Sequence, residues 1–253
     1  MNKFRPVGLL VALIPIVLIV SVGLSSPSTA SQSTTTALIR VEQVGGFVGP
    51  NVLTTRLPQV ALYPDGRVLA SVNFDGDVRQ MYEGNVSKSV IKAELSLFAK
   101  VIKIPTGGWG LPPVADVPST QVTLIQNGVK KVVNVYALGF KVESASPATN
   151  QARSNLSQAI DKLIKLAGSK KFFSPASFEV WPQAASSDLS PTPITWPISV
   201  AAPHAGCNKV LAKPFLMQLK RAGSNPWLFP DGTMQRLTWR PVLPDEVACH
   251  RGV

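Results

Sequence analysis

One short segment constrains the fold of this chain more than any other: residues 120–138, TQVTLIQNGVKKVVNVYAL. Asn127–Gly128 separates two alternating runs rich in β-branched residues, and this dipeptide is typical of a two-residue β-hairpin turn. Such a turn makes the two strands pair antiparallel. The PDG sequences within residues 62–68 and 228–234 predict two further hairpins, because Pro, Asp and Gly suit successive positions of a tight turn. The chain is therefore expected to build an antiparallel sheet from hairpins.

Two segments have the apolar periodicity of amphipathic helices, residues 87–103 and residues 149–166. Their apolar stripes are Ile91, Leu95, Phe98 and Ile102 in the first segment and Leu156, Ile160, Leu163 and Ala167 in the second. Two helices with one apolar face each can cover one side of an antiparallel sheet. The sequence therefore predicts an α+β fold with two amphipathic helices on one face of the sheet.

We expect this α+β domain to span residues 38–182, after a polar, Ser/Thr-rich linker of residues 31–37. Residues 183–203 are rich in proline and are expected to form a stiff, irregular connector. Residues 204–253 follow, with a short helix and the hairpin of residues 228–234. Fifty residues cannot hold a core alone, so we expect this C-terminal helix-hairpin unit to pack on the main domain.

The first thirty residues have the layout of a secretory signal. The basic residues Lys3 and Arg5 precede an uncharged, mostly apolar stretch from Val7 to Leu24, and Ser28 and Ala30 suit cleavage after position 30. The apolar stretch is also close to the length of a spanning helix, so an uncleaved N-terminal anchor is the alternative. The sequence thus predicts a secreted or extracytoplasmic protein, held at the membrane if the segment is retained.

Two cysteines and two histidines all lie in the last fifty residues: His204, Cys207, Cys249 and His250. In an oxidising compartment the simplest interpretation is a Cys207–Cys249 disulfide. Loop-closure entropy for a bridge of this span predicts roughly 4 kcal/mol of stabilisation. The competing interpretation is a zinc site made from all four residues. Because adjacent Cys249 and His250 rarely reach one ion without strain, and because export favours oxidation, the disulfide is the preferred prediction.

The charge of the chain points to an anionic or protein partner outside the cell. Cleavage would remove two basic residues and no acidic one, which lowers the formal net charge from +11 by two, to +9. Such an excess suits an anionic envelope polymer or a membrane surface, and an extracellular protein is the third candidate partner. The basic residues are scattered, as they are in proteins that are merely soluble, and the compartment disfavours nucleic acid. The sequence implies no cofactor, since it has no phosphate loop.

Ser89 and Lys92 match the S-x-x-K spacing that lets a lysine deprotonate a serine nucleophile. This pair is the basis of one alternative, an envelope hydrolase or acyl-transfer enzyme. No SDN or KTG companion sequence occurs, and GxSxG and HExxH motifs are absent from the chain as well. Ser and Lys are ordinary in the first turns of an amphipathic helix, so the sequence favours a protein without catalytic residues.

Trp109 lies in a Gly/Pro-rich loop, residues 106–119, that is long enough to suggest a function. An aromatic side chain on such a loop can anchor a binding partner, such as an enzyme to be inhibited. The alternative is a tryptophan that folds back as a lid over the sheet. The sequence leaves both interpretations open.

Three segments together resemble a known group of proteins. These are LPQVALYPDGRV at 57–68, the stretch from DVPSTQVTL to VNVYALG at 116–139, and WRPVLPDEVAC at 239–249. They are similar to uncharacterised secreted proteins and lipoproteins of high-GC Gram-positive bacteria, which share D-x-P-x-T, YALG and RP-x-LPDE-x-x-C patterns. The resemblance implies export and an α+β fold and brings no catalytic residues. This chain lacks the N-terminal cysteine of the lipoproteins. The sequence as a whole favours an exported, non-catalytic protein that binds an envelope or extracellular partner.

Overall fold

A computed structural model of the chain describes residues 35–71, 80–185, 192–197, 201–222 and 225–250. The expected signal or anchor, residues 1–30, lies outside the described residues, as do residues 31–34 of the linker and parts of the proline-rich connector. Within the described ranges the fold is α+β, as predicted, with two sheets and four helices. None of these helices has the length and apolar character needed to cross a bilayer.

The first sheet has six antiparallel strands in the order β4-β3-β2-β1-β5-β6. The strands are β1 (Ile39–Val44), β2 (Val60–Leu62), β3 (Arg67–Ser71), β4 (Met81–Asn85), β5 (Ser119–Gln126) and β6 (Val129–Tyr136). A short helix, α1 (Pro50–Thr55), connects β1 to β2. Strands that pair in this sheet are also consecutive in the chain, except for β1 and β5.

The predicted hairpin turns are confirmed. Asn127 and Gly128 both have positive φ, 51° and 75°, and they connect β5 directly to β6. In the turn between β2 and β3, the amide of Gly66 donates to the carbonyl of Tyr63 at 3.1 Å, and Gly66 has φ of 93°. Gly232 makes the same bond to Phe229 at 2.9 Å, so the two PDG sequences form the same kind of turn.

Two helices cover one face of this sheet, α2 (Lys88–Val101) and α3 (Pro147–Leu166). Ser87 caps α2 by accepting from the amide of Val90, and Ser146 caps α3 by accepting from the amide of Thr149. The predicted stripes form the core between helices and sheet, where the helices contribute Ile91, Phe98, Ile102, Leu156, Ile160, Leu163 and Ala167, with Leu95 partly buried. This layer is the predicted two-helix arrangement.

The second sheet lies in the C-terminal half and has the order β8-β10-β11-β7-β9. Its elements are β7 (Ser177–Ala184), β8 (Ile194–Thr195), β9 (Asn208–Leu211), α4 (Ala212–Ala222), β10 (Trp227–Leu228) and β11 (Met234–Pro241). All pairs are antiparallel except β8 with β10. Because β7 pairs with β9 and β11, the strand just before the connector belongs to this second sheet and not to the first.

Aromatic side chains build the core of the second sheet. Phe215 of α4 packs against Phe178 and Trp239, with ring centroids 5.4 and 6.0 Å away. Beyond this cluster, Trp196 contacts Trp227 edge to face at 5.0 Å. The helix-hairpin unit thus packs on a strand from the preceding part of the chain, as β7 carries Phe178.

Candidate functional site

Three loops lie at one end of the first sheet, where β1 ends, β5 begins and β6 ends. We call this the loop end and define it as residues 45–49, 102–118 and 137–146. Hydrogen bonds join the loops to one another. The amide of Phe47 donates to the carbonyl of Asp116 at 3.0 Å, and the Thr149 hydroxyl at the start of α3 donates to the carbonyl of Gly108 at 3.4 Å. The loop end is therefore a connected structure.

Trp109 lies inside this structure. Its side chain is 9% exposed and packs in the core between the helices and the sheet. The neighbouring Gly110 has φ of 69°, which other residues adopt only with strain, and a Cβ there would meet a Val142 methyl group at 3.1 Å and would have to displace it slightly. The structure thus places Trp109 as the tryptophan folded back over the sheet, which the sequence left as one of two interpretations.

A buried arginine organises the loop end. Arg153 of α3 is 3% exposed, and its guanidinium donates to the carbonyls of Trp109 at 3.1 Å, Tyr136 at 3.0 Å and Phe140 at 3.2 Å, and to that of Ala137. Burial lowers the pKa of this arginine below its ordinary value. One cation therefore satisfies carbonyls from two loops and a strand end, and it holds them together.

Sequence reasoning missed Arg153, although a signal was present. Position 153 lies three residues before Leu156 and therefore falls on the apolar stripe of α3. A charged residue on a buried stripe needs partners, because an unpaired buried charge is costly. The partners are backbone carbonyls, which no sequence motif marks.

Large apolar side chains project from the loop end into solvent. Phe47 is 89% exposed, Leu111 is 75% exposed and Ile104 is 69% exposed, while Phe140 is half-exposed. The charged residues on these loops are balanced, and they are Lys103, Asp116, Lys141 and Glu143, all exposed. Exposed hydrocarbon gathered on loops of a fixed framework can be buried against a partner surface. Trp109 of this loop could be predicted as a candidate from the sequence, whereas the exposure of Phe47, Leu111 and Ile104 could not.

The predicted disulfide is confirmed. Cys207 and Cys249 are bonded, with Cα atoms 5.6 Å apart. The bridge ties the start of β9 to the segment that follows β11. The His204 ring nitrogen Nδ1 lies 3.0 Å from the carbonyl of Ala205. In the described part of the chain, no three His, Cys, Asp or Glu side chains are grouped so that they could hold a metal.

Ser89 and Lys92 lie on the exposed side of the first turns of α2. The Ser89 hydroxyl is 2.8 Å from the hydroxyl of Ser87, the residue that caps this helix. The observed hydrogen bond of the serine therefore belongs to the helix start. General-base activation would require the Lys92 amine within hydrogen-bond reach of that hydroxyl.

A cluster of charged side chains joins the C-terminal part of the described chain to the first sheet. We call residues 242–250 the closing segment, and we call the charged cluster the ionic junction. Its members are Arg40, Glu42, Tyr63, Glu179, Arg240, Asp245 and Glu246. Arg40 of β1 pairs with Asp245 at 2.9 Å and with Glu246 at 2.7 Å. The RP-x-LPDE-x-x-C pattern of the sequence thus supplies charges that pair across 205 positions.

The ionic junction is largely buried, and the pKa values of Tyr63 and Arg240 within it are shifted. Arg240 is fully buried, pairs with Glu246 and lies 3.7 Å from Glu179. Burial lowers the pKa of Arg240 despite these two carboxylates. Burial and then the charge and hydrogen bond of Asp245 raise the pKa of Tyr63 well above its ordinary value. Structural ion-pair networks shift pKa values as active sites do, and here the charges hold two parts of the chain together.

Comparisons with protein-family models, with curated proteins and with solved structures give no match to this chain. Its function therefore has to be inferred from its own residues. Among the described residues, the loop end combines the largest exposure of apolar side chains with a buried framework that fixes their positions. We regard it as the candidate functional site.

Proposed function

We propose that this chain is an exported, non-catalytic protein that binds a partner of the cell envelope or of the extracellular space through the loop end. The exposed side chains of Phe47 and Leu111 carry the proposal. Burying an aromatic or aliphatic side chain of this size contributes roughly 1.5–3 kcal/mol. A few such anchor side chains commonly supply most of the binding energy of a protein interface.

Preorganisation supports this role for the loop end. Arg153 donates to carbonyls of residues 102–118 and 137–146 as well as to that of Tyr136, and Trp109 is buried in the core. Loops that are ordered before binding lose less conformational entropy when the partner arrives. The glycine-rich sequence of residues 106–110 would otherwise be expensive to order.

The disulfide and the N-terminal sequence support export. A disulfide such as Cys207–Cys249 persists in oxidising compartments and is rare in the cytoplasm. Residues 1–30 have the pattern of a secretory signal, and retention of their apolar stretch would leave the domain attached to the outer face of a membrane. Both outcomes present the loop end to envelope components.

The alternative enzyme has less support from the structure. Acyl transfer by Ser89 requires its proton to pass to Lys92, but the serine bonds to Ser87 in the helix cap. Labelling of the folded protein by a β-lactam or fluorophosphonate probe, lost in Ser89→Ala, would establish this alternative. We expect no labelling.

A matched pair of leucines tests the proposed binding surface. Leu111 at the loop end and Leu211 on β9 are exposed to similar extents, 75% and 66%. The chain from residue 31, immobilised at low salt, is expected to retain an envelope component from its own extract. We expect Leu111→Ser combined with Phe47→Ser to reduce retention at least tenfold, and Leu211→Ser to leave it within twofold.

Two results would overturn this proposal. If the wild-type chain retained nothing from the envelope extract, the binding role itself would be wrong. If the loop-end variant and the Leu211 variant retained equal amounts, binding would occur at another surface. Circular dichroism of each variant confirms that the compared proteins are folded.

A further inference from the structure

The two edge strands of the first sheet, β4 and β6, differ in whether other parts of the chain cover them. The outer edge of β4 is covered, because the amide of Glu83 donates to the carbonyl of Lys171 and the amide of Phe173 donates to that of Met81, both at 2.8 Å. The other edge is β6, an eight-residue strand with a largely exposed surface. Uncovered edges of this length are sites where another chain can pair.

The hairpin register fixes which groups of β6 face outward. Gln126 and Val129 flank the two-residue turn and therefore form a hydrogen-bonded pair, after which bonded and non-bonded pairs alternate along the strands. The amide of Ile125 confirms the alternation, since it turns away from β6 and donates to Leu38 of the β1 side at 2.7 Å. On β6, Lys130, Val132 and Asn134 therefore point their N–H and C=O groups away from β5.

These outward groups form a defined docking edge. Within the described ranges, no backbone hydrogen bond from another element reaches Lys130, Val132 or Asn134. The next outward carbonyl along the strand, that of Tyr136, is taken by Arg153 at 3.0 Å. The edge thus offers three amides and three carbonyls and ends where the loop end begins. An antiparallel strand could make up to six backbone bonds there.

The charged residues of the β5–β6 hairpin indicate which side chains a partner strand should carry. Lys130 and Lys131 are both exposed and point to opposite faces of the sheet. Strands β5 and β6 contain no acidic residue, and Lys130 and Lys131 are the only charged residues in the two strands. A partner strand with carboxylates would meet the lysines on both faces. A second copy of this chain would bring no carboxylate on its own β6, and both copies carry a net positive charge.

We propose that β6 is a docking edge for an extended acidic peptide segment of another protein, which adds to the first sheet as an antiparallel seventh strand. Main-chain bonds to Lys130, Val132 and Asn134 supply affinity, and the two lysines supply the preference for acidic side chains. This surface is separate from the exposed apolar side chains of the loop end. The proposal holds or fails independently of the proposed function.

Hydrogen exchange gives a residue-specific test. The probe is a synthetic ten-residue peptide of alternating valine and glutamate, added to the chain from residue 31, since residues 34–253 form one compact unit. Saturating peptide is expected to slow exchange at the amides of Lys130, Val132 and Asn134 at least tenfold. Amides of Lys131 and Val133 already bond to β5 and should change little. A peptide with lysine in place of glutamate is the control and should not bind.

Variants separate strand addition from simple charge attraction. Val132→Pro removes one outward amide, which an edge strand tolerates, and should weaken peptide binding at least tenfold with the fold retained. Val132→Thr keeps that amide and is the matched control, expected to bind within twofold of wild type. If Val132→Pro failed to fold, the same peptide N-methylated at alternate residues would replace it, since this change removes backbone donors and keeps every charge, and the same tenfold loss is expected.

Three outcomes would overturn the proposal. The first is peptide binding that Val132→Pro leaves unchanged, because attraction to the lysines alone would then explain it. The second is absence of alternating protection along β6. The third is dimerisation through this edge. Without peptide, the mass measured by sedimentation would double as the concentration of the wild-type chain rises, whereas Val132→Pro would stay monomeric, because a second copy would occupy the edge.

Discussion

Removal of one carboxylate should destabilise the whole protein, because Glu246 connects the fully buried Arg240 to the partly buried Arg40. Its Oε1 accepts from Arg40 at 2.7 Å, and its Oε2 accepts from Arg240 and from the amide of Leu243 at 3.2 Å. Glu246→Ala leaves Arg240 fully buried, with Glu179 at 3.7 Å as its remaining carboxylate neighbour in the junction. A buried cation without adequate compensation is among the costliest defects in a protein interior.

The magnitude follows from this burial. Breaking a buried ion pair by removing one partner costs about 3–5 kcal/mol. For a domain of this size each kcal/mol lowers the melting temperature by roughly 2–4 °C, so we expect Tm to fall by about 10 °C. The matched control is Glu83→Ala, whose partner Lys171 is well exposed, and such a surface pair contributes about 1 kcal/mol or less.

Urea unfolding followed by tryptophan fluorescence measures both changes. The reasoning is refuted if Glu246→Ala loses no more stability than Glu83→Ala. A double-mutant cycle adds a second check, because Arg240→Met removes the buried cation that Glu246→Ala would leave without this carboxylate partner. The double variant should lose at least 1 kcal/mol less than the sum of the single variants, and strict additivity would mean that the two side chains do not interact.

Three further predictions concern other parts of the structure. The raised pKa of Tyr63 means that its contribution to stability is present below about pH 10, the usual pKa of an unfolded tyrosine, and is lost as the pH rises further. Urea unfolding from pH 8 to 11 should therefore show an alkaline loss of stability that is shallower in Tyr63→Phe, and equal slopes would contradict this. A Cβ at Gly84 would lie 2.2 Å from the carbonyl oxygen of Leu166, so Gly84→Ala should reduce stability by about 2 kcal/mol. Gly139 has open space around it, so Gly139→Ala should reduce stability little. Thermal melts in which Gly139→Ala is the less stable variant would refute this packing. Reduction of the disulfide should lower the free energy of unfolding by about 4 kcal/mol, and equal urea midpoints with and without a reducing agent would contradict the estimate.

Local features of the fold could be predicted because their causes are local. Asn127–Gly128 determines its hairpin through the positive φ angles of two adjacent residues. Ser87 caps its helix through a bond to a residue three positions away. The disulfide could be predicted as well, since the chain has two cysteines and its N-terminal sequence predicts an oxidising compartment.

The ionic junction and the loop end could not be predicted in this way. The pairing of Arg40 with Glu246 joins residues 206 positions apart, and no periodicity in the sequence carries information about such a contact. The membership of β7 in the second sheet has the same cause, because strand propensity does not specify a pairing partner. The exposure of Phe47 and Leu111 depends on the conformation of their loops. That conformation depends in turn on a tertiary contact, the hydrogen bond from Arg153 of α3 to the carbonyl of Trp109.

The contact between the first sheet and the closing segment also joins the two ends of the described chain. Strand β1 is the first element of the described chain, but Arg40 and Tyr63 receive their carboxylates from Asp245 and Glu246, near its end. A chain that has not yet been synthesised as far as the closing segment lacks these partners for Arg40 and Tyr63. Contacts of such long sequence separation form slowly. We therefore expect removal of the closing segment to destabilise the first sheet, a dependence that would suit the translocation of an unfolded chain that the N-terminal sequence predicts.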